Sequence, residues 1–113
     1  MTELNVSIEA EMLCELVYKI TMKLPNSEMF GLTSQLRRAS VSIVSNLTEG
    51  NSYLNGNQLV LFERAYGSCR EVQVQLKLMK KIFDIDTGEV YNLADKVGGM
   101  IFKLMSAVRS RQS

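Results

Sequence analysis

The stretch LVLFERAYGSCREVQVQLKLMKKIF, residues 59–83, decides the fold. Apolar residues recur in it at intervals of three and four. These positions are Leu59, Phe62, Tyr66, Cys69, Val72, Leu76, Met79 and Phe83. Such spacing predicts one long amphipathic helix, because an α-helix completes a turn about every 3.6 residues. The following DIDTGE supplies the polar residues and the glycine that end a helix.

The rest of the chain repeats this pattern three times. The apolar stripes are Leu13, Leu16, Val17, Ile20 and Leu24; Leu32, Leu36, Ile43 and Leu47; and Val90, Leu93, Val97, Ile101, Leu104 and Val108. We therefore expect helices at about 6–24, 28–53, 57–83 and 87–110. LPNS and the Asn55-Gly56 pair separate the first three helices.

Short connections between long helices make sequential neighbours antiparallel. The sequence thus predicts an all-α fold, an antiparallel up-down-up-down four-helix bundle. With 113 residues, we expect a single domain that spans residues 1–113.

The chain contains no histidine. This absence excludes Ser-His-Asp and Cys-His nucleophilic sites, HExxH zinc sites and the Glu-x-x-His sites of di-iron bundles. We therefore expect no enzyme, with no catalytic residue, no metal and no cofactor. Thirteen basic and twelve acidic side chains leave a net charge of +1, which is unlike a dedicated nucleic-acid-binding protein.

No apolar run approaches the roughly 20 residues that span a bilayer. The start MTELNVSIEAEML carries acids where a secretion signal carries lysine or arginine. We expect a cytoplasmic protein with no membrane partner. Cys14 and Cys69 lie within apolar patterns without CxxC spacing, so we expect buried, reduced thiols.

Two helices are apolar on more than one side. The helix at residues 59–83 opens with LVLF, four apolar residues that cannot all face one core. On the second helix, a separate face carries Val41, Val44 and Thr48. A helix that is apolar on several sides is buried on several sides, which predicts self-association. The alternative is scattered surface apolar residues, which are common in monomers.

Polar residues form a matching stripe on the second and third helices. On the second helix they are Gln35, Arg38, Ser42, Ser45 or Asn46, and Glu49; on the third they are Glu63, Gly67, Arg70 or Glu71, and Gln75. Small residues would let the two backbones approach closely, and these are Ser40, Ser42, Ser45, Gly67 and Ser68. Arg37 and Arg38 would then pair with Glu63 and Glu71.

Two other interpretations concern the charged residues of these helices. A cluster of Glu49, Glu63 and Glu71 would serve acid–base chemistry or bind a metal ion. A basic patch near the end of the third helix consists of Arg70, Lys77, Lys80 and Lys81. This patch would bind nucleic acid if it were repeated around an oligomer. Its alternative interpretation is a solvated helix face.

The segments FGLTSQLRRASVSIVSNLTEG and LVLFERAYGSCREVQVQL carry a family resemblance. They resemble the four-helix bundle proteins associated with intervening sequences in bacterial 23S ribosomal RNA genes, sometimes labelled S23 ribosomal proteins. The likeness extends from about Leu13 to about Leu104. Its motif residues are Gly31, Leu32, Gln35, Arg37, Arg38, Ala39, Val41, Ser42, Ile43, Asn46, Glu49 and Gly50, and then Gly67, Ser68, Glu71 and Leu76. Val44 replaces a proline that is common in the family, so we expect a less kinked second helix.

The resemblance implies a homopentamer with a central channel. It also implies kinship with the accessory proteins of diversity-generating retroelements, which are basic pentamers that bind a reverse transcriptase and nucleic acid. We therefore expect a non-enzymatic, homo-oligomeric assembly or adaptor protein. The alternative is an accessory protein that binds RNA, DNA or a nucleic-acid enzyme through repeated basic patches.

Overall fold

The computed structural model describes residues 3–52 and 56–112. Its helices are α1 (Glu3–Thr21), α2 (Leu32–Asn51), α3 (Gln58–Phe83) and α4 (Gly88–Gln112), with a short 3-10 turn at Asn26–Glu28. Each helix packs on the next one, and α1 packs on α4, which closes the bundle. The molecule measures 47 × 22 × 20 Å. The prediction of an all-α four-helix bundle is confirmed.

Contacts between consecutive helices show that they run antiparallel. Arg37 near the start of α2 reaches Thr21 at the end of α1, whereas Asn51 at the end of α2 reaches Ser7. In the same way, Ser42 in the middle of α2 faces Ser68 of α3, whereas Gly50 at the end of α2 accepts a hydrogen bond from Gln58 at the start of α3. Glu63 near the start of α3 pairs with Arg109 near the end of α4, and Gln73 further along α3 bonds to Asp95, so α3 and α4 are antiparallel too.

Most of the predicted stripe residues lie in the core, together with eight buried apolar residues outside the stripes: Val6, Ala10, Ala39, Leu61, Ala65, Ala94, Met100 and Met105. The largest side chains without exposed surface include Leu13, Val17, Leu36, Ile43, Leu47, Phe62, Val72, Leu76, Met79, Val97 and Ile101. Each such side chain contributes about 1.5–3 kcal/mol when it leaves water. Leu16, Leu32, Leu59 and Leu93 are half-buried at the edge of this core.

Several helix limits differ from the predicted ones, and α1 already begins at Glu3 instead of about residue 6. α1 ends at Thr21, because the N–H groups of residues 22–24 bond to carbonyls three residues back in the tighter turn that precedes Pro25. α2 begins at Leu32, whose N–H donates to Glu28 Oε1 at 3.0 Å. The predicted end of the second helix at Tyr53 lies outside the described residues. α2 runs unbroken through Val44, as the missing proline predicts.

Candidate functional site

The polar stripe brings α2 and α3 together at two serines. Ser42 Oγ and Ser68 Oγ lie 2.9 Å apart, within hydrogen-bond distance. Asn46 Nδ2 donates to the carbonyl oxygen of Ser42 at 2.9 Å and to its Oγ at 3.1 Å. The three side chains therefore set the register of the two helices.

A second close approach lies one to two turns further along α2, at Gly50. A Cβ atom on Gly50 would lie 2.7 Å from Cε1 of Phe62, whose ring is completely buried. Only glycine fits here without moving the ring. Gly50 thus allows Phe62 to fill the core between α2 and α3.

The predicted arginine–glutamate pairs between α2 and α3 are absent from the described residues. Arg37 instead contacts α1: Nε donates to Thr21 Oγ1 at 2.9 Å, Nη2 donates to the carbonyl of Tyr18 at 3.3 Å, and the guanidinium stacks 4.7 Å from the Tyr18 ring centre. Glu63 pairs with Arg109 of α4 at 3.2 Å. The pairing prediction was wrong because Arg37 and Glu63 lie on the sides of their helices that face α1 and α4.

The other small residues predicted to bring α2 and α3 together lie elsewhere: one is buried against α1, and two are on the outer surface. Ser40 is buried against α1, where its Oγ lies 3.4 Å from Cys14 Sγ. Ser45 and Gly67 are exposed, and a Cβ on Gly67 would meet nothing within 4 Å. Ser40, Ser45 and Gly67 therefore do not mediate the contact of α2 with α3, contrary to the prediction.

The charged and amide groups of the stripe that lack a role inside the bundle face solvent. They are Gln35, Arg38, Glu49 and Glu71. Within residues 3–52 and 56–112, no group of three or more His, Cys, Asp or Glu side chains is placed to hold a metal ion. The alternative carboxylate cluster is therefore not assembled within one chain.

Exposed apolar residues follow one line along the outer side of α3. We call this line the α3 ridge, and it consists of Val60, Gly67, Val74, Leu78 and Ile82. Steps of seven and four residues return to nearly the same side of a helix. Val74 and Ile82 are 55% and 61% exposed. The ridge lies opposite the core-facing residues of α3.

A hollow between α1 and α2 is the second apolar surface. One part, of about 500 Å³, is lined by Cys14, Tyr18, Val41 and Val44, with Glu11, Glu15, Lys19 and Ser45 around them. A neighbouring part of about 570 Å³ shares Tyr18 and Val41 and reaches Met29 and Phe30, which is 95% exposed. We call the two parts together the α1–α2 groove.

The two cysteines differ in environment. Both are free thiols; Cys69 is buried, but Cys14 is only half-buried in the α1–α2 groove, so the prediction of burial was wrong for Cys14. Cys69 Sγ donates to the carbonyl of Ala94 at 3.1 Å. Burial raises the pKa of the Cys69 thiol to about 11. Cys69 is therefore a packing residue without nucleophilic character at neutral pH.

All four residues of the predicted basic patch are exposed, and three of them lie on one side of α3. Arg70, Lys77 and Lys81 share a side of α3, because steps of seven and four residues return to it. Lys80 is nearly a quarter turn away, and Lys77 Nζ lies 5.5 Å from the ring centre of Tyr91. The exposed acids Asp84 and Asp86 follow directly in the chain.

A polar groove between α3 and α4 was missed by the sequence analysis. It has a volume of about 380 Å³ and is lined by Tyr66, Arg70, Gln73, Asp95, Gly98, Gly99, Phe102 and Lys103. The rings of Tyr66 and Phe102 lie 6.0 Å apart, and Gln73 Nε2 donates to Asp95 Oδ1 at 3.3 Å. The only signal in the sequence was the 3-4 spacing of polar residues on each helix. Which residues face each other depends on the packing of α3 on α4.

Comparison with known proteins places these features in a family context. A family model described as 23S rRNA-intervening sequence protein matches residues 2–105. No curated protein matches the chain. In the described part of the chain, no helix combines the length and the apolar character that crossing a membrane requires.

Proposed function

The chain belongs to the 23S rRNA-intervening sequence protein family, and from this premise we propose that it is a non-enzymatic, homo-oligomeric assembly module. Copies of the bundle associate through their outer faces. Five copies is the number that the family resemblance implies. In this role the protein acts in the cytoplasm as an adaptor, and its repeated surfaces present binding sites to a partner.

The observation that carries this proposal is the presence of apolar side chains on two separate faces of a bundle with a complete core. The α3 ridge and the α1–α2 groove both expose apolar side chains. Exposed apolar surface of this kind, arranged along a helix, is typical of protein–protein contact. Gly67 adds to the argument, since an exposed glycine within a helix costs roughly 0.5–1 kcal/mol relative to alanine. Close approach of a second backbone would offset that cost.

Light scattering coupled to size-exclusion chromatography tests the proposal. We expect a mass near five times 12.7 kDa. The ratio of absorbance at 260 and 280 nm on the same peak reports co-purified nucleic acid. A single peak at the mass of one chain, at all accessible protein concentrations, would contradict self-association.

A second candidate function is nucleic-acid binding in the groove between α3 and α4. The supporting observation is the pair of rings, Tyr66 and Phe102, beside the exposed cations Arg70 and Lys103. Aromatic rings stack with unpaired bases, and nearby cations contact phosphates. This arrangement favours a site centred on the groove over the lysines at the end of α3.

Fluorescence anisotropy with a labelled single-stranded RNA of mixed sequence separates the two locations. Binding in the groove predicts a loss of affinity for Phe102→Ala and for Arg70→Gln, with a steep dependence on salt. The triple substitution of Lys77, Lys80 and Lys81 by glutamine is the matched comparison. If the triple variant alone loses affinity, the groove is not the site.

A further inference from the structure

We infer that the α3 ridge of one copy docks in the α1–α2 groove of a second copy, so that the chains associate head to tail. The inference rests on the proposed self-association and names the two surfaces that meet. The occupant of the groove is therefore helix α3 of another copy of this chain.

Both surfaces are elongated along helix axes. The ridge runs from Val60 to Ile82, a separation of 22 positions or about 33 Å of helix. The α1–α2 groove is also elongated, because its two parts share Tyr18 and Val41 and follow the two helices. Side-chain rows of one helix pack into the furrow between others, which is how helices associate in bundles.

Small side chains make the contact close. Ser34 and Ser45 line the groove on either side of Val41, at intervals of seven and four residues along α2. On the ridge, Gly67 lacks a side chain between Val60 and Val74. Small residues on facing helices let the two backbones approach, as glycine and serine do between packed helices.

Both surfaces are bordered by charges of both signs, so opposite charges can meet across the contact. Exposed cations flank the ridge, and these are Arg64, Arg70, Lys77 and Lys81. Glu11 and Glu15 border the groove. The groove also contains Lys19, Arg37 and Arg38, and Glu63 and Glu71 beside the ridge have the opposite charge to these three, although cations outnumber acids on both surfaces. Opposite charges of this kind orient partners and disfavour incorrect registers.

The position of the two surfaces in the bundle determines the type of assembly. Helix α3 packs on α2 and α4 but makes no comparable contact with α1 within the described residues, so the two helices lie at opposite corners. One copy can therefore use its ridge and its groove at once. Contacts between two different patches are heterologous, and they close into a ring when the rotation between copies permits.

The accessible surface is large enough for two such contacts. A stable interface covers about 800 Å² on each partner. Two of them would occupy about a quarter of the 6723 Å² accessible surface of the chain. Most of the molecule, including the groove between α3 and α4, then remains free.

Single charge substitutions test the inference. Val74→Glu places a carboxylate on the ridge, and Val41→Glu places one in the groove. Both side chains are exposed in the bundle, so each variant should retain its helical circular dichroism. We expect each variant alone to have the mass of one chain, with a dissociation constant raised at least roughly a hundredfold by the buried charge. Ser106→Glu, on the exposed side of α4, is the matched control and should assemble like the wild type.

Mixing the two variants gives the decisive result. Val74→Glu keeps an intact groove and Val41→Glu keeps an intact ridge, so the mixture should form a 1:1 dimer that cannot grow further. A mixture that remains at the mass of one chain would overturn the head-to-tail contact. Assembly of either variant alone, in conditions where the wild type assembles, would also overturn it while leaving the proposed function intact. A wild type that stays at the mass of one chain would remove both.

Disulfide trapping gives an independent readout. In a Cys14→Ser chain, Val41→Cys is combined with a cysteine at Val60, Val74, Leu78 or Ile82 in turn. We expect at least one pair to produce covalent multimers larger than a dimer on a non-reducing gel, because each head-to-tail link leaves a further thiol on both sides. Chains with only one of the introduced cysteines should stay uncrosslinked. Dimers from a single introduced cysteine would instead indicate a symmetric contact and contradict the inference.

Discussion

Ser42 and Ser68 face each other across the boundary between α2 and α3, with their Oγ atoms 2.9 Å apart. The two residues are 26 positions apart in the chain, and both are half-buried. Asn46 binds Ser42 from the next turn of α2. The contact therefore couples the polar stripe of one helix to that of the next.

The serine pair should contribute a measurable coupling energy. We expect Ser42→Ala and Ser68→Ala each to lower the free energy of unfolding by about 0.5–1.5 kcal/mol, since each leaves a half-buried hydroxyl without its partner. The double variant should lose less than the sum, because no unpaired hydroxyl then remains. Urea unfolding of all four chains measures the coupling. Strict additivity would show that the two hydroxyls do not interact.

Gly50 and Gly67 should respond to alanine in opposite ways. We expect Gly50→Ala to lower the free energy of unfolding by about 1–3 kcal/mol, because the added Cβ displaces the buried ring of Phe62. Gly67→Ala adds a methyl group in open space and should raise stability by about 0.5–1 kcal/mol. Both are measured by urea unfolding in the Val74→Glu background, so that association does not contribute. Equal effects at the two positions would refute this account of Gly50.

Substitution by alanine should lower the free energy of unfolding to different extents at Arg37 and Arg38, although the two residues are adjacent. Arg37→Ala removes the hydrogen bond to Thr21 and the stacking on Tyr18, and should cost about 1–2 kcal/mol. Arg38 is exposed, so Arg38→Ala should change the stability of the single chain by less than about 0.5 kcal/mol. Thermal or urea unfolding distinguishes the two. A larger loss of stability in Arg38→Ala than in Arg37→Ala would contradict a stabilising role for the contacts of Arg37.

Cys69 should titrate only in strongly alkaline solution. Its pKa is raised from 9.0 to about 11, chiefly by burial, so the native thiol stays protonated where an unfolded one has ionised. The protonated thiol therefore makes its full contribution to the free energy of unfolding below pH 9. As the pH rises from 9 to 11 this contribution is lost, and the free energy of unfolding falls by up to roughly 2–3 kcal/mol. We therefore expect stability to fall more steeply over this range in the wild type than in Cys69→Ala.

The two thiols should also react at different rates. At pH 8 a thiol reagent should modify Cys14, which is half-buried in the α1–α2 groove, well before Cys69. Mass spectrometry of the modified peptides identifies the site. Modification of Cys69 in the folded protein at a rate equal to that of Cys14 would contradict its assigned burial. If another copy fills the groove, the reagent should modify Cys14 more slowly in the assembled wild type than in Val74→Glu.

Asp84 ends α3 in the left-handed conformation, with φ 56° and its N–H bonded to the carbonyl of Lys80. Asp84→Gly should raise the free energy of unfolding by up to about 1 kcal/mol, because glycine adopts this conformation without steric cost. Asp84→Ala removes the same carboxylate but keeps a Cβ, and is therefore the control for charge. We expect Asp84→Gly to be the more stable of the two in urea. The reverse order would contradict the left-handed assignment.

The fold could be predicted from the sequence because it depends on local periodicity. Four apolar stripes with a spacing of three and four residues are sufficient to specify four amphipathic helices, and the short connections between them require antiparallel packing. The positions of Leu36, Ile43 and Leu47 inside the core follow from this pattern alone. The pattern also places Val41 on a face of α2 different from these three residues, and in the single chain this face is exposed.

The partners of the polar side chains were decided only by the tertiary structure. A step of one residue turns a helix by about 100°, so Arg37 and Arg38 share a sequence motif but face different neighbours. The apolar pattern on a single helix identifies its core-facing side, but it does not show which of its polar positions contacts a neighbouring helix and which faces solvent. For that reason the contact of Arg37 with Thr21, the meeting of Tyr66 with Phe102 and the shape of the α1–α2 groove became visible only once the four helices were packed.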